Sequence, residues 1–225
     1  MTPGDPAVAE PALTGNPTSP TVATSRGLDG RVRCWWGSSA PEYVEYHDLE
    51  WGRPLHGDDA LYERLCLEAF QSGLSWLTIL RKRENFRRAF DKFDAERIAR
   101  YGAKDIARLM ADEGIVRNRA KVEATIDNAK TYLKLRERTT LKKFMLDFLG
   151  EDGPVQNRAH TMRDIPAETE LSKRISKALK AEGFRFVGPT TVYAFMQSAG
   201  MVNDHLVGCF RYAECAKLQT ASVKS

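Results

Sequence analysis

From residue 31 onward the chain reads as an all-α domain, and three observations predict this. Apolar residues recur at three- and four-residue spacing through successive segments. The breaks between segments carry capping aspartates or stopping glycines, among them Asp58, Asp94, Gly73 and Gly114. There is no alternating apolar–polar stretch of any length, and no internal repeat.

Asp58 and Asp59 are candidate N-caps for a helix through Leu61, Leu65 and Ala69, which Gly73 stops. From Ser75 to Phe90 the apolar positions are 76, 79, 80, 86 and 90, interrupted by Arg81, Lys82, Arg83, Arg87 and Arg88. Asp94 opens a short helix towards Tyr101, and Lys104 to Ala111 places Ile106, Leu109 and Met110 on one side. After Gly114, the stretch Arg119 to Leu135 aligns Val122, Ile126, Ala129 and Leu133 on a common face. Leu141 to Leu149 and Leu171 to Leu179 are two further amphipathic pieces. Thr190 to Ser198 is nearly all apolar, which predicts a central helix.

The 225 residues, 42% apolar and 28% charged, suffice for one packed domain and contain no run long enough to span a membrane. Residues 1–30 differ from the rest: five of the ten prolines and four glycines, with no aromatic residue and no lysine. Such a segment buries too little apolar surface to offset the entropy of ordering it, so a disordered tail is expected. It has neither a basic start nor an apolar stretch, so it does not read as a secretory signal, and its single Arg26 argues against a transit peptide. A cytoplasmic protein is expected. The remaining 195 residues hold 33 basic and 27 acidic side chains, a balance that suits a polyanion without requiring one. Four scattered cysteines make a disulfide scaffold improbable, leaving metal binding or plain burial.

Four features carry chemistry. His205 and Cys209 are four apart on what reads as a short helix capped by Asn203 or Asp204, so both leave one face. With Cys34 and His47, thirteen apart near the start, they offer two sulfurs and two nitrogens, the closed tetrahedral set of a structural zinc. Each half alone reads more readily as a buried Cys and a core His, and it is the combination that favours a metal. Glu68 lies at the edge of the apolar arc of its helix, away from Glu63 and Arg64; periodicity alone reads it as a semi-exposed carboxylate that reaches water. If covered, it would need a cationic or hydrogen-bonding partner. Trp35, Trp36, Tyr43, Tyr46, Trp51 and Trp76 are either an aromatic core or a surface for stacking on a nucleobase. Finally, a tight turn at Gly114 precedes a helix start flanked by Arg117, Arg119 and Lys121. That is either a phosphate site of amides and cations or a solvated basic face.

The segments Arg33–Trp36, Tyr43–Gly52, Leu67–Trp76, Gly183–Gly188 and Val202–Cys209 together resemble the type I DNA-3-methyladenine glycosylases, in order, across about residues 31–212. The resemblance implies a helix-hairpin-helix DNA glycosylase fold whose structural zinc, on Cys34, His47, His205 and Cys209, ties the N- and C-terminal regions together. It implies that Glu68 hydrogen-bonds an extruded 3-methyladenine on which Tyr46 and Trp76 stack. The hairpin would run from Lys104 to about Ile126, with residues 213–225 as a C-terminal tail. Related helix-hairpin-helix glycosylases use a catalytic aspartate after the hairpin; this family lacks it. Trp35 departs from the pattern, in which a smaller residue is familiar, and the 30-residue N-terminal tail is extra.

The chemistry agrees with those residues. A 3-methylated adenine is cationic and already a good leaving group, so extrusion, recognition and water attack at C1′ remain. An anionic Glu68 would favour the cation over normal adenine, and Tyr46 and Trp76 would add stacking and cation–π attraction. Arg117, Arg119 and Lys121 would contact phosphates of double-stranded DNA independently of sequence, and Leu74, beside Gly73, would wedge into the gap left by the flipped nucleotide or else belong to the core. A monomer is expected. Two alternatives compete: a non-catalytic helix-hairpin-helix protein that binds damaged DNA and is indifferent to Glu68, and a zinc-stabilised interaction domain that does not bind nucleic acid.

Overall fold

A computed structural model describes residues 23–223. In order, these form strands β1 (Thr24–Arg26) and β2 (Val32–Cys34), then helices α1 (Pro41–Leu49), α2 (Asp58–Gln71), α3 (Trp76–Ala89), α4 (Ala95–Ile98), α5 (Ala103–Ala111), α6 (Arg119–Arg136) and α7 (Leu141–Leu146). Strand β3 (Val155–Gln156), α8 (Glu170–Glu182), α9 (Pro189–Ser198), β4 (Val202–Asn203) and α10 (Tyr212–Ser222) complete the chain. The fold is thus mostly helical, as expected. No helix among the described residues is long and apolar enough to cross a membrane.

Helix starts largely follow the side-chain chemistry. Ser75, Asp94, Asn118, Thr140 and Thr169 each accept a backbone amide of their own helix's first turn. Asp58 is an exception to expectation. Gly57 occupies the N-cap of α2, and the Asp58 carboxylate accepts from Leu141 N at 2.6 Å and Lys142 N at 3.0 Å, capping α7 from a distance. Asp59 likewise accepts from Tyr132 Oη at 3.1 Å, so both acids join α2 to other elements.

Helix α2 is the axis of the molecule, packed against α3, α6, α7 and α9. Phe70 meets Phe86 and Phe90 at ring-centroid distances of 4.6 and 5.7 Å, and Tyr62 stacks on Tyr132 at 4.8 Å. Because neighbours cover it on several sides, Arg64, Cys66, Leu67 and Glu68 are buried along with Leu61, Leu65 and Ala69. A single-face periodicity does not describe such a helix. Helix α9 is the second internal element, as its apolar composition predicts, with Val192, Tyr193, Phe195 and Met196 all buried.

Two expectations at the chain ends need correction. Residues 1–22 lie outside the described residues, but the tail does not extend to residue 30. Thr24–Arg26 pairs antiparallel with Val32–Cys34, and Arg33 joins Asp29 by two hydrogen bonds of 2.9 and 2.6 Å. Backbone pairing and this fork-to-carboxylate contact order a segment that composition alone assigns to the tail. At the other end, residues 213–222 are no tail but most of α10, whose Cys215 and Gln219 are fully covered. Gln219 Nε2 donates to Gly52 O at 2.7 Å and its Oε1 accepts from Gln156 Nε2 at 2.8 Å.

Candidate functional site

Cys34 at the end of β2, His47 on α1, and His205 and Cys209 in the loop after β4 converge, with their ligand atoms all within 4.8 Å of one another. Cys209 Sγ lies 3.4 Å from His47 Nε2 and 3.6 Å from His205 Nδ1, and Cys34 Sγ lies 3.8 Å from His205 Nδ1. The expected short helix under His205 and Cys209 is absent: residues 204–209 form an irregular loop with a turn at Val207 and Gly208, and tertiary packing rather than helical spacing brings the two side chains together.

The surroundings fit a metal. Each imidazole turns one nitrogen to the cluster and the other to a fixed acceptor: His47 Nδ1 to Asp48 Oδ1 at 2.8 Å, His205 Nε2 to Trp51 O at 3.1 Å. Asp48 is in turn held by Arg33 through Nε at 2.9 Å and Nη2 at 2.7 Å. Outer partners of this kind set the tautomer and orientation of metal-binding histidines. The two thiols act as a pair: the hydrogen bond with Cys34 holds Cys209 far below its ordinary range and the same bond pushes Cys34 up, so one sulfur is held as a thiolate beside His205 and His47. Gly37 backs the site: a Cβ there would stand 2.6 Å from the His47 ring.

Helix α1 links this cluster to a cavity. Tyr46 and His47 are successive residues, so they leave the helix about 100° apart, one to each site. The cavity, about 210 Å³, is lined by the aromatics Trp36, Tyr43, Tyr46, Trp51 and Trp76 and the polar side chains Glu68, Gln71 and Gln197. Tyr46 and Trp76 stand with ring centroids 5.5 Å apart at 48°, and Trp36 and Trp51 pack edge to face at 4.9 Å. Trp51 also contacts the His205 ring at 4.6 Å, so the cavity wall rests on the Cys/His cluster. These aromatics thus pack on one another and at the same time line a cavity.

Glu68, expected at a semi-exposed margin, is only 3% exposed. Burial raises its carboxyl to about 7, although Arg64 and a hydrogen bond from Ser198 pull the other way. Arg64 was expected on the outer side of α2 and is buried instead. Its Nη1 donates to Tyr46 Oη at 2.9 Å and its Nη2 to Glu50 at 3.2 Å, and the guanidinium lies 5.4 Å from the Tyr46 ring centroid and 5.7 Å from that of Trp76. Arg83 completes the group with two hydrogen bonds to Glu50 at 2.6 and 2.8 Å. Arg64 precedes Glu68 by one helical turn, and that spacing was the available signal.

Of the expected phosphate-binding cations, Arg117 and Arg119 are exposed, with surface ion pairs to Glu113 and Glu123 at 3.5 Å each. Lys121 is a correction: it is buried, and its Nζ donates to Phe70 O at 2.8 Å and Ser72 O at 2.5 Å. It braces the α2–α3 loop on the start of α6. Lys121→Met should lower stability by about 1–3 kcal/mol in denaturant melts; an unchanged midpoint would show that the ammonium does not brace the loop. Leu74 is exposed at the tip of that loop, next to Gly73 at φ +79°.

Two helix–loop–helix units pack around the elements that carry the cavity. One is α5–α6, tied to α3 through Lys82 Nζ to Glu113 O at 2.8 Å and Asn85 Nδ2 to Gly114 O at 3.2 Å. The other, α8–α9, was not singled out from the sequence as a hairpin, although Gly183 and Gly188 bracket its loop. Asn128 on α6 grips that loop by both backbone groups of Arg185, at 2.7 and 3.1 Å, and α9 carries Ala194 and Gln197 into the cavity wall.

The methyladenine glycosylase family matches residues 35–212. A DNA-3-methyladenine glycosylase of Haemophilus influenzae is 46% identical over 179 residues, covering 79% of this chain and 96% of its own. A crystal structure of 3-methyladenine DNA glycosylase I superimposes with a TM-score of 0.77 at 44% identity, covering 79% of this chain and 98% of the other. A crystal structure of a variant of a 3-methyladenine DNA glycosylase I in complex with 3-methyladenine superimposes with a TM-score of 0.74 at 37% identity, covering 78% of this chain and 95% of the other.

Proposed function

The chain belongs to the methyladenine glycosylase family, and from that premise we propose how its own residues perform the reaction. The activity is that of a base-excision repair glycosylase, which hydrolyses the N-glycosidic bond of 3-methyladenine in alkylated DNA. The non-catalytic DNA-binding alternative and the interaction-domain alternative are set aside.

The observation that carries the residue assignment is a buried carboxyl, Glu68, in a cavity walled by aromatic rings. With its carboxyl at about 7, the empty site is poised between the acid and the anion at neutral pH. A cationic base entering the cavity favours the anion, so charge selects 3-methyladenine over neutral adenine. Tyr46 and Trp76 add stacking and cation–π attraction, of the order of 1–3 kcal/mol for a stacked base. Arg64 holds the Tyr46 hydroxyl and thereby its ring. When the bond between C1′ and the base breaks, its electron pair neutralises the base. The oxocarbenium-like sugar is then captured by water, whose proton passes to solvent.

Cys34, His47, His205 and Cys209 are read as the ligands of a structural zinc. With four protein ligands it would leave no open position, so it would tie β2 and α1 to the loop after β4 rather than take part in the chemistry. Arg117 and Arg119 are assigned to phosphates, since exposed ion pairs are weak and exchange readily. Leu74 is assigned to the gap left by the flipped nucleotide. Because α9 carries cavity residues, the α8–α9 loop is read as a second DNA contact, and Arg185, exposed and paired with Asp127 at 2.6 Å, would meet a phosphate there. The fold would in this way be that of the helix-hairpin-helix glycosylases.

Chromatography of bases released from methylated duplex DNA tests the activity, and binding across a salt series tests the surface. Arg119→Glu and Arg185→Glu should each reduce the slope of log affinity against log salt by about one or more. An unchanged slope removes that hairpin from the DNA contact.

A further inference from the structure

Charge and stacking distinguish a methylated purine from a normal one, but they do not distinguish a methylated adenine from a methylated guanine. Both are cationic, and both present a flat face to Tyr46 and Trp76. The two bases differ in hydrogen-bond polarity: adenine carries an amino donor at the position where guanine carries a carbonyl acceptor. A cavity that separates them needs a polar group whose donor or acceptor character cannot change.

Gln197 is such a group. It sits on α9 in the cavity wall, and its Nε2 donates to Asp204 Oδ2 at 2.8 Å. Asp204 is 1% exposed and receives two further donors: Tyr193 Oη on the same Oδ2 at 2.6 Å and Asn157 Nδ2 on Oδ1 at 2.7 Å. A carboxylate surrounded by three donors offers only lone pairs. The Gln197 amide must therefore keep its NH₂ towards Asp204, because the flipped amide would set its oxygen against a carboxylate oxygen away from water. The end of α9 is pinned as well, since Gly52 N donates to the Gln197 backbone carbonyl at 3.2 Å. The side-chain carbonyl oxygen is left without a partner among the described residues. Gln71 is the other amide of the lining, and no side-chain hydrogen bond holds it among the described residues.

We propose that Gln197 is a specificity-determining residue, accepting a hydrogen bond from the exocyclic amino group of 3-methyladenine, and that Asp204 is the positioning residue that fixes the polarity of its amide. The cavity then takes 6-amino purines and disfavours 6-oxo purines such as 3-methylguanine, whose oxygen would face the Gln197 oxygen. The proposal rests on the glycosylase reading, and it assigns a residue pair that base charge does not involve.

The test measures binding of free 3-methyladenine and free 3-methylguanine by calorimetry, and release of both bases from one methylated DNA. Wild type, Gln197→Leu and Asp204→Asn are compared. Wild type should prefer 3-methyladenine. Gln197→Leu should lose about tenfold or more in 3-methyladenine affinity, the scale of one unmade hydrogen bond, with no loss for 3-methylguanine. Asp204→Asn, which lets the Gln197 amide turn over, should narrow the ratio of the two bases in the same direction. Equal losses for both bases, unchanged affinities, or a wild type that takes both bases equally would overturn the proposal. Should Asp204→Asn fail to fold, Gln197→Leu decides alone. A wild type that releases neither base would instead overturn the glycosylase reading.

Discussion

Glu68→Gln is expected to release 3-methyladenine from methylated DNA at least about 100-fold more slowly than the wild-type chain, the usual scale for removing a preorganised charge from a dry site. The same substitution should make the protein more stable. Burial raises the Glu68 carboxyl from 4.5 to about 7, so the folded chain holds this proton more tightly than the unfolded chain does. Its contribution to stability is therefore fully present below pH 4.5, declines as the pH rises towards 7, and is absent above that. Glutamine has no such decline. At pH 8 the variant should gain up to about 3 kcal/mol, and at pH 4 nothing. Thermal melts at the two pH values, read beside the release assay, check both halves. A variant that loses activity and also melts lower at pH 8 would show that Glu68 is a structural carboxylate whose removal merely damages the cavity.

Loss of the metal should have the largest effect on the fold. The freshly purified chain is expected to carry about one zinc, and Cys209→Ser to lose it. Four ligands from three separate parts of the chain close long loops, so a loss of at least about 3 kcal/mol is expected, lowering the melting temperature by roughly 10 °C. The cavity should loosen with it. Trp51 packs on the His205 ring at 4.6 Å and on Trp36 at 4.9 Å, and both tryptophans line the cavity. Tryptophan fluorescence should therefore change on chelation before the helices unfold. Metal content near zero in wild type, with Cys209→Ser melting alongside it, would remove the ion from the account and leave Cys34, His47, His205 and Cys209 as a hydrogen-bonded core cluster.

Much of this was legible in the sequence, and the exceptions share a cause. Helix α6 begins and ends within a residue of its predicted bounds because Asn118 caps it and a regular apolar face runs along it. Cys34, His47, His205 and Cys209 were recognised as a set by their ligand chemistry and by the family resemblance; the short helix also invoked to align His205 with Cys209 is absent, and tertiary packing brings the two together instead. Glu68, Arg64 and Lys121 went the other way. Each is a charged residue that a helical wheel turns towards water, and each is buried by elements distant in sequence.

The sequence by itself determined, to within about a residue, where α3, α5, α6 and α9 start and stop, and which cysteines and histidines could bind a metal, because capping, periodicity and side-chain chemistry act within a few residues. Tertiary structure alone decided that α2 is enclosed, that Lys121 braces a loop, that residues 213–222 dock as α10, and that Asp204 turns the Gln197 amide. Burial and hydrogen-bond polarity depend on partners brought together from far along the chain, and desolvation by those partners raises the Glu68 carboxyl to about 7.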